Sequence, residues 1–205
     1  MSTKVIGSLM SGGIIFAVVA WFGLLPDTDG MAAKEALDKL LSKDATLIEL
    51  GQILGAVGFV GAVLGLYLLA RSLRDGGTAA SATVAQLAGL LIVLCVPAII
   101  IDEGLMLGAI RYASTDRAAA EVMFNAGLGT EALAGVMFGT GIALLGLALI
   151  LRKTFHIVIG YLTLATGISM ALSDIDALEI LGLGWLVMML LVIVMGVLTL
   201  RKDEI

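Results

Sequence analysis

Two adjacent carboxylates, Asp102 and Glu103, end an apolar run that reads Val96-Pro97-Ala98-Ile99-Ile100-Ile101. Acids beside a hydrophobic segment can hold a cation or carry a proton, and ionisable groups inside a membrane span are usually functional. Successive helical residues differ by about 100°, so the two side chains cannot share a face. Asp102 continues a stripe of small residues, Cys95, Ala98 and Ala109. Glu103 continues a bulky one, Ile92, Val96, Ile99, Leu107 and Ile110. Small residues favour helix–helix contact. Asp102 is therefore expected to face the bundle, and Glu103 the lipid headgroups or an outer loop. Pro97 cannot donate to the carbonyl of Val93 and should bend the helix there. A freed carbonyl, Cys95 and Asp102 could line a polar pocket. The plainer expectation is that Thr83 to Ile101 already covers roughly 28 Å at 1.5 Å per residue, which leaves Asp102 at the water boundary.

Other acids gather on the same side. Glu49 and Glu131 complete the candidate ion site with Asp102, Cys95 and Pro97. Asp174, Asp176 and Glu179 have the Asp-x-Asp start of a calcium loop, but lack its glycine at the sixth position and its glutamate at the twelfth. They are expected to cap the last span, since acids favour a helix N-terminus. His156 follows Arg152-Lys153 and reads as an interfacial residue. One cysteine excludes an intrachain disulfide, and one histidine excludes a His-cluster metal site. Hydrolase, zinc-protease and phosphate-loop signatures are absent. No catalytic residue, cofactor or metal is expected, and the protein reads as a non-enzyme.

The elements that carry these residues follow from composition. Of 205 residues 60% are hydrophobic and 14% charged, with a mean hydropathy of +1.11. Soluble domains average roughly 45–50% apolar and about 25% charged. The chain therefore reads as an all-α polytopic membrane protein, because only helices or closed barrels span a bilayer. Its apolar runs are too long for barrel strands. One domain over residues 1–205 is expected. Six runs approach the ~20 residues that a span needs: 5–25, 47–70, 83–101, 133–151, 155–172 and 180–200. The first is expected to be retained as a signal anchor.

The distribution of Lys and Arg sets the orientation. With the N-terminus inside, the inner junctions hold seven bases against three acids, and the outer ones five bases against fourteen acids. Both termini are expected in the cytoplasm and the protein in the cell membrane. The net charge of −5 argues against nucleic acid. Trp21 and Trp185 fall near the outer boundary, as an aromatic belt would place them. Two short outer amphipathic helices are expected. Met31–Lys43 puts Leu37, Leu40 and Leu41 on one face. Asp116–Ala126 has an N-cap candidate in Asp116 and a stop at Gly127.

Glycine is the strongest pattern, with 26 residues. Gly51, Gly55, Gly58 and Gly65 form one stripe with Ala62, and Gly135 and Gly139 form a small-xxx-small pair. Gly160 and Gly167 lie a heptad apart. Close backbone contact supplies much of helix association in lipid. These faces read as intrachain packing, with a docking face for another subunit as the sharper alternative.

The layout resembles a known group. "GLLPDTDG" ends the first span, "LIELGQILGAVGFVGAVLGLYLLARSLR" forms the second, and "LRKTFHIVIGYL…LGWLVMMLLVIVMGVLTLRKD" closes the chain. These features resemble the DUF4386-type six-helix prokaryotic membrane proteins of unknown function. The resemblance implies a six-helix fold and no activity.

Two functions follow. The first is an accessory or scaffold subunit of a membrane assembly, in contact with the bilayer and with other subunits or a second copy, and with an acidic outer face open to cations. The second is a small cation or proton-coupled transporter or channel that uses Asp102 near Pro97. Polar residues of the inner half are few (Ser81, Thr83, Gln86, Thr140, Thr163, Thr166), which favours the first.

Overall fold

A computed structural model describes residues 2–28, 31–173 and 183–202. The expectations for Asp174, Asp176 and Glu179, and the start of the 180–200 span, lie outside the described residues. Within them the chain forms seven helices: α1 (Thr3–Leu24), α2 (Ala33–Leu41), α3 (Ala45–Asp75), α4 (Ala79–Tyr112), α5 (Arg117–Arg152), α6 (Ile157–Leu172) and α7 (Gly184–Leu200). Four of them, α1, α3, α4 and α5, are long and apolar enough to cross a membrane. Helices α6 and α7 are apolar but shorter, at 16 and 17 residues. Large apolar side chains such as Val19, Phe22, Val57, Ile100 and Leu190 are at least 60% exposed, as a lipid-facing surface would be.

The helices form a closed ring in the order α1, α3, α4, α5, α6, α7, with α7 returning to α1. The seam between α6 and α7 is the thinnest. Glycine sets the other seams. A methyl group on Gly13 would sit 2.5 Å from the Ala62 nitrogen, and one on Gly58 would sit 2.6 Å from that of Ala17. A methyl on Gly139 would meet the Ala171 nitrogen at 2.6 Å, and Gly7 and Gly196 approach each other's carbonyls in the same way. The stripe Gly51, Gly55, Gly58 and Gly65 therefore faces α1, and Gly139 faces α6. Gly160 and Gly167 meet α5. The expected intrachain packing is what these residues do.

Polar groups close the helix ends. Asp44 caps α3, accepting from the Thr46 and Leu47 amides, Thr78 caps α4, and Asp116 caps α5 through Ala119, as its sequence position anticipates. His156 caps α6, its Nδ1 accepting from Val158, a role that sequence reasoning did not assign to it. At the opposite end from α2, Arg152 donates to the Gly76 carbonyl and Lys202 to that of Thr154. The Thr3 hydroxyl donates to the Lys202 carbonyl at 2.6 Å, which brings the two ends of the described chain together.

Three expectations change here. The segment Asp116–Ala126 is no separate helix. It is the cap and first turns of α5, which runs on through Gly127 to Arg152. Gly127 is a close-approach glycine, since a Cβ there would lie 2.9 Å from Asp102 Oδ1. Helix α4 likewise continues past Ile101 to Tyr112. At 1.5 Å per residue, α4 and α5 are roughly 50 Å long, against a hydrocarbon core of about 30 Å. Their ends beyond the first core are covered by α2. It does not offer its apolar face to lipid. Its Ala36, Leu37 and Leu40 are buried in a second core with Ile48, Ala109, Ile110, Ala120 and Phe124. Finally, Trp21 and Trp185 do not form a lipid-facing belt. They turn inward onto Phe59 and Phe138.

Candidate functional site

Two apolar cores share the same helices and meet at one level. On α4 the main core ends with Val96, Ala98 and Ile99, and the second begins at Met106. On α5 the second core ends at Phe124 and the main core resumes at Ala134. On α3 the corresponding limits are Ile48 and Phe59. On α1 the change falls between Trp21 and Leu25. The residues in these intervals include Asp102, Glu103, Gln52 and Glu131. The carboxylates therefore lie in a layer between two hydrophobic clusters.

The layer holds its charges at a cost. Asp102 Oδ1 and Glu103 Oε2 are both buried and have no hydrogen-bond partner. Neither residue is in an ion pair among the described residues. Asp102 points at Gly127 of α5, where the missing side chain leaves room for Oδ1. Glu103 accepts a side-chain hydrogen bond from the Trp21 indole. It thus faces α1, not the headgroups or an outer loop as its bulky stripe suggests. The reason lies on α3, where Gly55 has no Cβ and the Trp21 Nε1 fills that space. Glu131 bears electrostatically on both Asp102 and Glu103. Like charges this close raise the free energy of the fully ionised layer.

Beneath the layer, four rings from four helices fill the ring's interior. Phe59 meets Trp21 at 5.6 Å, Phe138 at 5.4 Å and Trp185 at 6.2 Å between centroids. Phe138 and Trp185 stack at 5.9 Å. Beside this cluster lies a cavity of about 230 Å³, lined by Leu128, Glu131, Ala132, Gly135 and Trp185. Gly135, which the sequence pairs with Gly139, is buried and borders this cavity.

No family model, no curated protein and no solved structure matches the chain. The site's chemistry must be read from its own residues.

The structure brings together only part of the anticipated ion site. Asp102 and Glu131 share the layer. Glu49 instead forms a bidentate ion pair with Arg111, at 2.9 and 3.1 Å, which ties α3 to α4. Cys95 is fully buried in the main core, and its thiol donates to the Ile92 carbonyl at 2.8 Å. It lies about 10 Å along the helix from Asp102 and belongs to the packing. Pro97 stays inside a continuous α4. Sequence reasoning set Glu103 aside and placed the tryptophans at the membrane surface. The spacing of Gly55 and Trp21 on different helices carries no signal that could have joined them.

Neither arginine near α2 pairs with Asp102 or Glu103. Arg111 is held by Glu49, and Arg117 by Asp38 and Glu121. Among the described residues no three acidic, His or Cys side chains converge as a metal ion's ligands would. What the layer can do is hold a proton, or balance a positively charged group that enters beside it.

Proposed function

We propose that this is a non-enzymatic membrane protein of the cell envelope that binds a cation or proton at the Asp102–Glu103–Glu131 layer and carries it across the bilayer. The observation behind this reading is the pair of buried, partnerless carboxylate oxygens on α4. An isolated buried charge is expensive, and such groups usually take up a proton or a counter-charge. The layer also has an apolar core on each side of it along the helices. In this reading α6 and α7 cross with the four longer helices, giving six spans. The chain ends joined through Thr3 and Lys202 lie in the cytoplasm, where the basic junctions belong. The α2 end faces outward, and a six-helix layout of the DUF4386 type is part of the same proposal.

A scaffold subunit is the second reading, favoured by the acidic outer face. It ranks below the first because the glycine stripes that could have docked a partner are consumed within the chain.

The test uses protein reconstituted in liposomes with a trapped pH indicator, under imposed proton, sodium and potassium gradients. Wild-type protein is expected to pass protons or one cation faster than empty liposomes. Asp102→Asn and Glu103→Gln should each slow that flux by about tenfold or more, as loss of a charged relay group does. Wild-type flux equal to that of empty liposomes under every gradient refutes the reading.

A further inference from the structure

Three helices build one hydrogen bond in the layer. The Trp21 indole of α1 donates to one oxygen of Glu103 on α4. The other oxygen, Oε2, is buried and has no hydrogen-bond partner. Helix α3 supplies the seat for the indole. A Cβ on Gly55 would overlap the indole nitrogen and the ring carbons beside it. Four residues on, and so on the same face of α3, Phe59 backs the ring at 5.6 Å between centroids. The donor is therefore in place before any ligand arrives. Asp102, the neighbouring acid on α4, turns its Oδ1 toward Gly127 of α5. The two acids thus face different helices, and their unpartnered oxygens do not converge as the several oxygen ligands of a metal ion must. A proton needs only one oxygen. The charged groups that bear on Glu103 are Asp102 of its own helix and Glu131 of α5. Helix α1 presents the neutral indole, and α3 presents Gly55 behind it. An N–H donor binds a carboxylate more strongly than a carboxylic acid, so the indole helps the group give its proton back.

We infer that Glu103 is the residue of this layer that takes up and releases a proton, and that Trp21 is its positioning residue. Uptake forms an O–H bond at Oε2 with a proton from hydronium and leaves water, and release is the reverse. The indole holds the other oxygen, which keeps Oε2 in one place. The inference names the proton as the carried species and rests on the carboxylate-layer reading above. It also assigns Gly55 a role: the missing side chain lets the indole reach across α3 to Glu103.

An infrared pH titration of the full chain in mild detergent tests it, read at the carbonyl band of protonated carboxyl groups, with tryptophan emission followed in parallel. Neighbouring acids titrate as a coupled set, so the band has several components. Glu103→Gln should remove one of them. Trp21→Phe keeps an aromatic ring but no donor. It should raise the pH midpoint of that component by about one unit, as loss of a hydrogen bond to a charged group does. Gly55→Ala should do the same with Trp21 and Glu103 both present, because the added Cβ displaces the indole. A merely structural role for Trp21 leaves the midpoint where it is. The wild-type emission should change with the same midpoint, and Glu103→Gln should abolish that change. Gel filtration checks that each variant is folded. Where one is not, the others decide. Where none is, the wild-type emission decides, because it must follow the carboxyl band. An infrared band that Glu103→Gln leaves intact overturns the inference, as does a midpoint unmoved in folded Trp21→Phe and Gly55→Ala, or an emission indifferent to pH. The two readings fail separately. Flux that depends on Asp102, with a titration indifferent to Trp21, sinks the Glu103–Trp21 unit and leaves the carboxylate layer. A Trp21-sensitive titration with no flux of any cation sinks the transport reading and leaves the proton site.

Discussion

Replacing Asp102 by Asn should stabilise the protein. Asn has nearly the shape of Asp, so the contacts around Gly127 and Met106 are kept. The substitution removes a negative charge from a layer that also holds Glu103 and Glu131. The wild-type Oδ1 is buried without a partner, and such an unsatisfied group costs about 1–3 kcal/mol, more when charged. Asn keeps one polar atom in the same place, so only part of that cost returns. A gain of about 1–2 kcal/mol is the outcome to expect on that scale. For a domain of this size each kcal/mol moves Tm by about 2–4 °C, so the shift should be roughly +2 to +8 °C. The assay is a circular-dichroism melt in mild detergent at neutral pH, wild type against variant. A fall in Tm of comparable size would refute the reasoning. It would mean that the carboxylate makes a favourable interaction there, and that the layer is a structural ion pair and not a poised site.

Two more outcomes follow from the packing. Gly58→Leu would drive a side chain into the Ala17 nitrogen and the Gly13 carbonyl, at 2.6 and 2.8 Å from its first atom, whereas Gly12→Ala meets nothing within 4 Å. The first should abolish a monodisperse gel-filtration peak, since overpacking against backbone costs at least about 1–3 kcal/mol, and the second should leave the peak unchanged. Arg117 donates to the Lys34 carbonyl and to Asp38, both on α2. Arg117→Ala should loosen α2 with little effect on Tm, because exposed pairs contribute about 0.2–1 kcal/mol. Faster hydrogen exchange over Ala33–Leu41, with α3 unchanged, is the expected readout.

The sequence made the helices legible because each long apolar run has little choice in lipid: its backbone must bond to itself. The glycine stripe on α3 was legible for the same kind of reason, since four small residues on one face permit close approach whatever the partner is. Helix ends were less legible. Gly127 looks like a stop by local rules, yet the helix continues because α4 packs so closely there. Isolated hydropathy could not tell where α4 leaves the membrane, because Leu105, Met106, Leu107 and Ile110 are as apolar as a span. They are apolar for a different reason: Met106 and Ile110 belong to the core beneath α2.

That second core changes what the acids mean. Without it, Asp102 and Glu103 would sit at a helix end in water, where a carboxylate needs no partner. With α2 docked on Ile48, Ile110 and Phe124, the same two residues are covered from one side and backed by the Trp21–Phe59–Phe138–Trp185 rings on the other. Two acids with buried, partnerless oxygens are unfavourable as purely structural elements, since apolar residues of similar size would hold the helices at least as well. Their position is explained if the charge is there to be neutralised by something that arrives and leaves. Departure then requires one of the two cores to part. The α2 cap is the smaller of them, tied to α5 through Arg117, so it is the side from which the layer should open first.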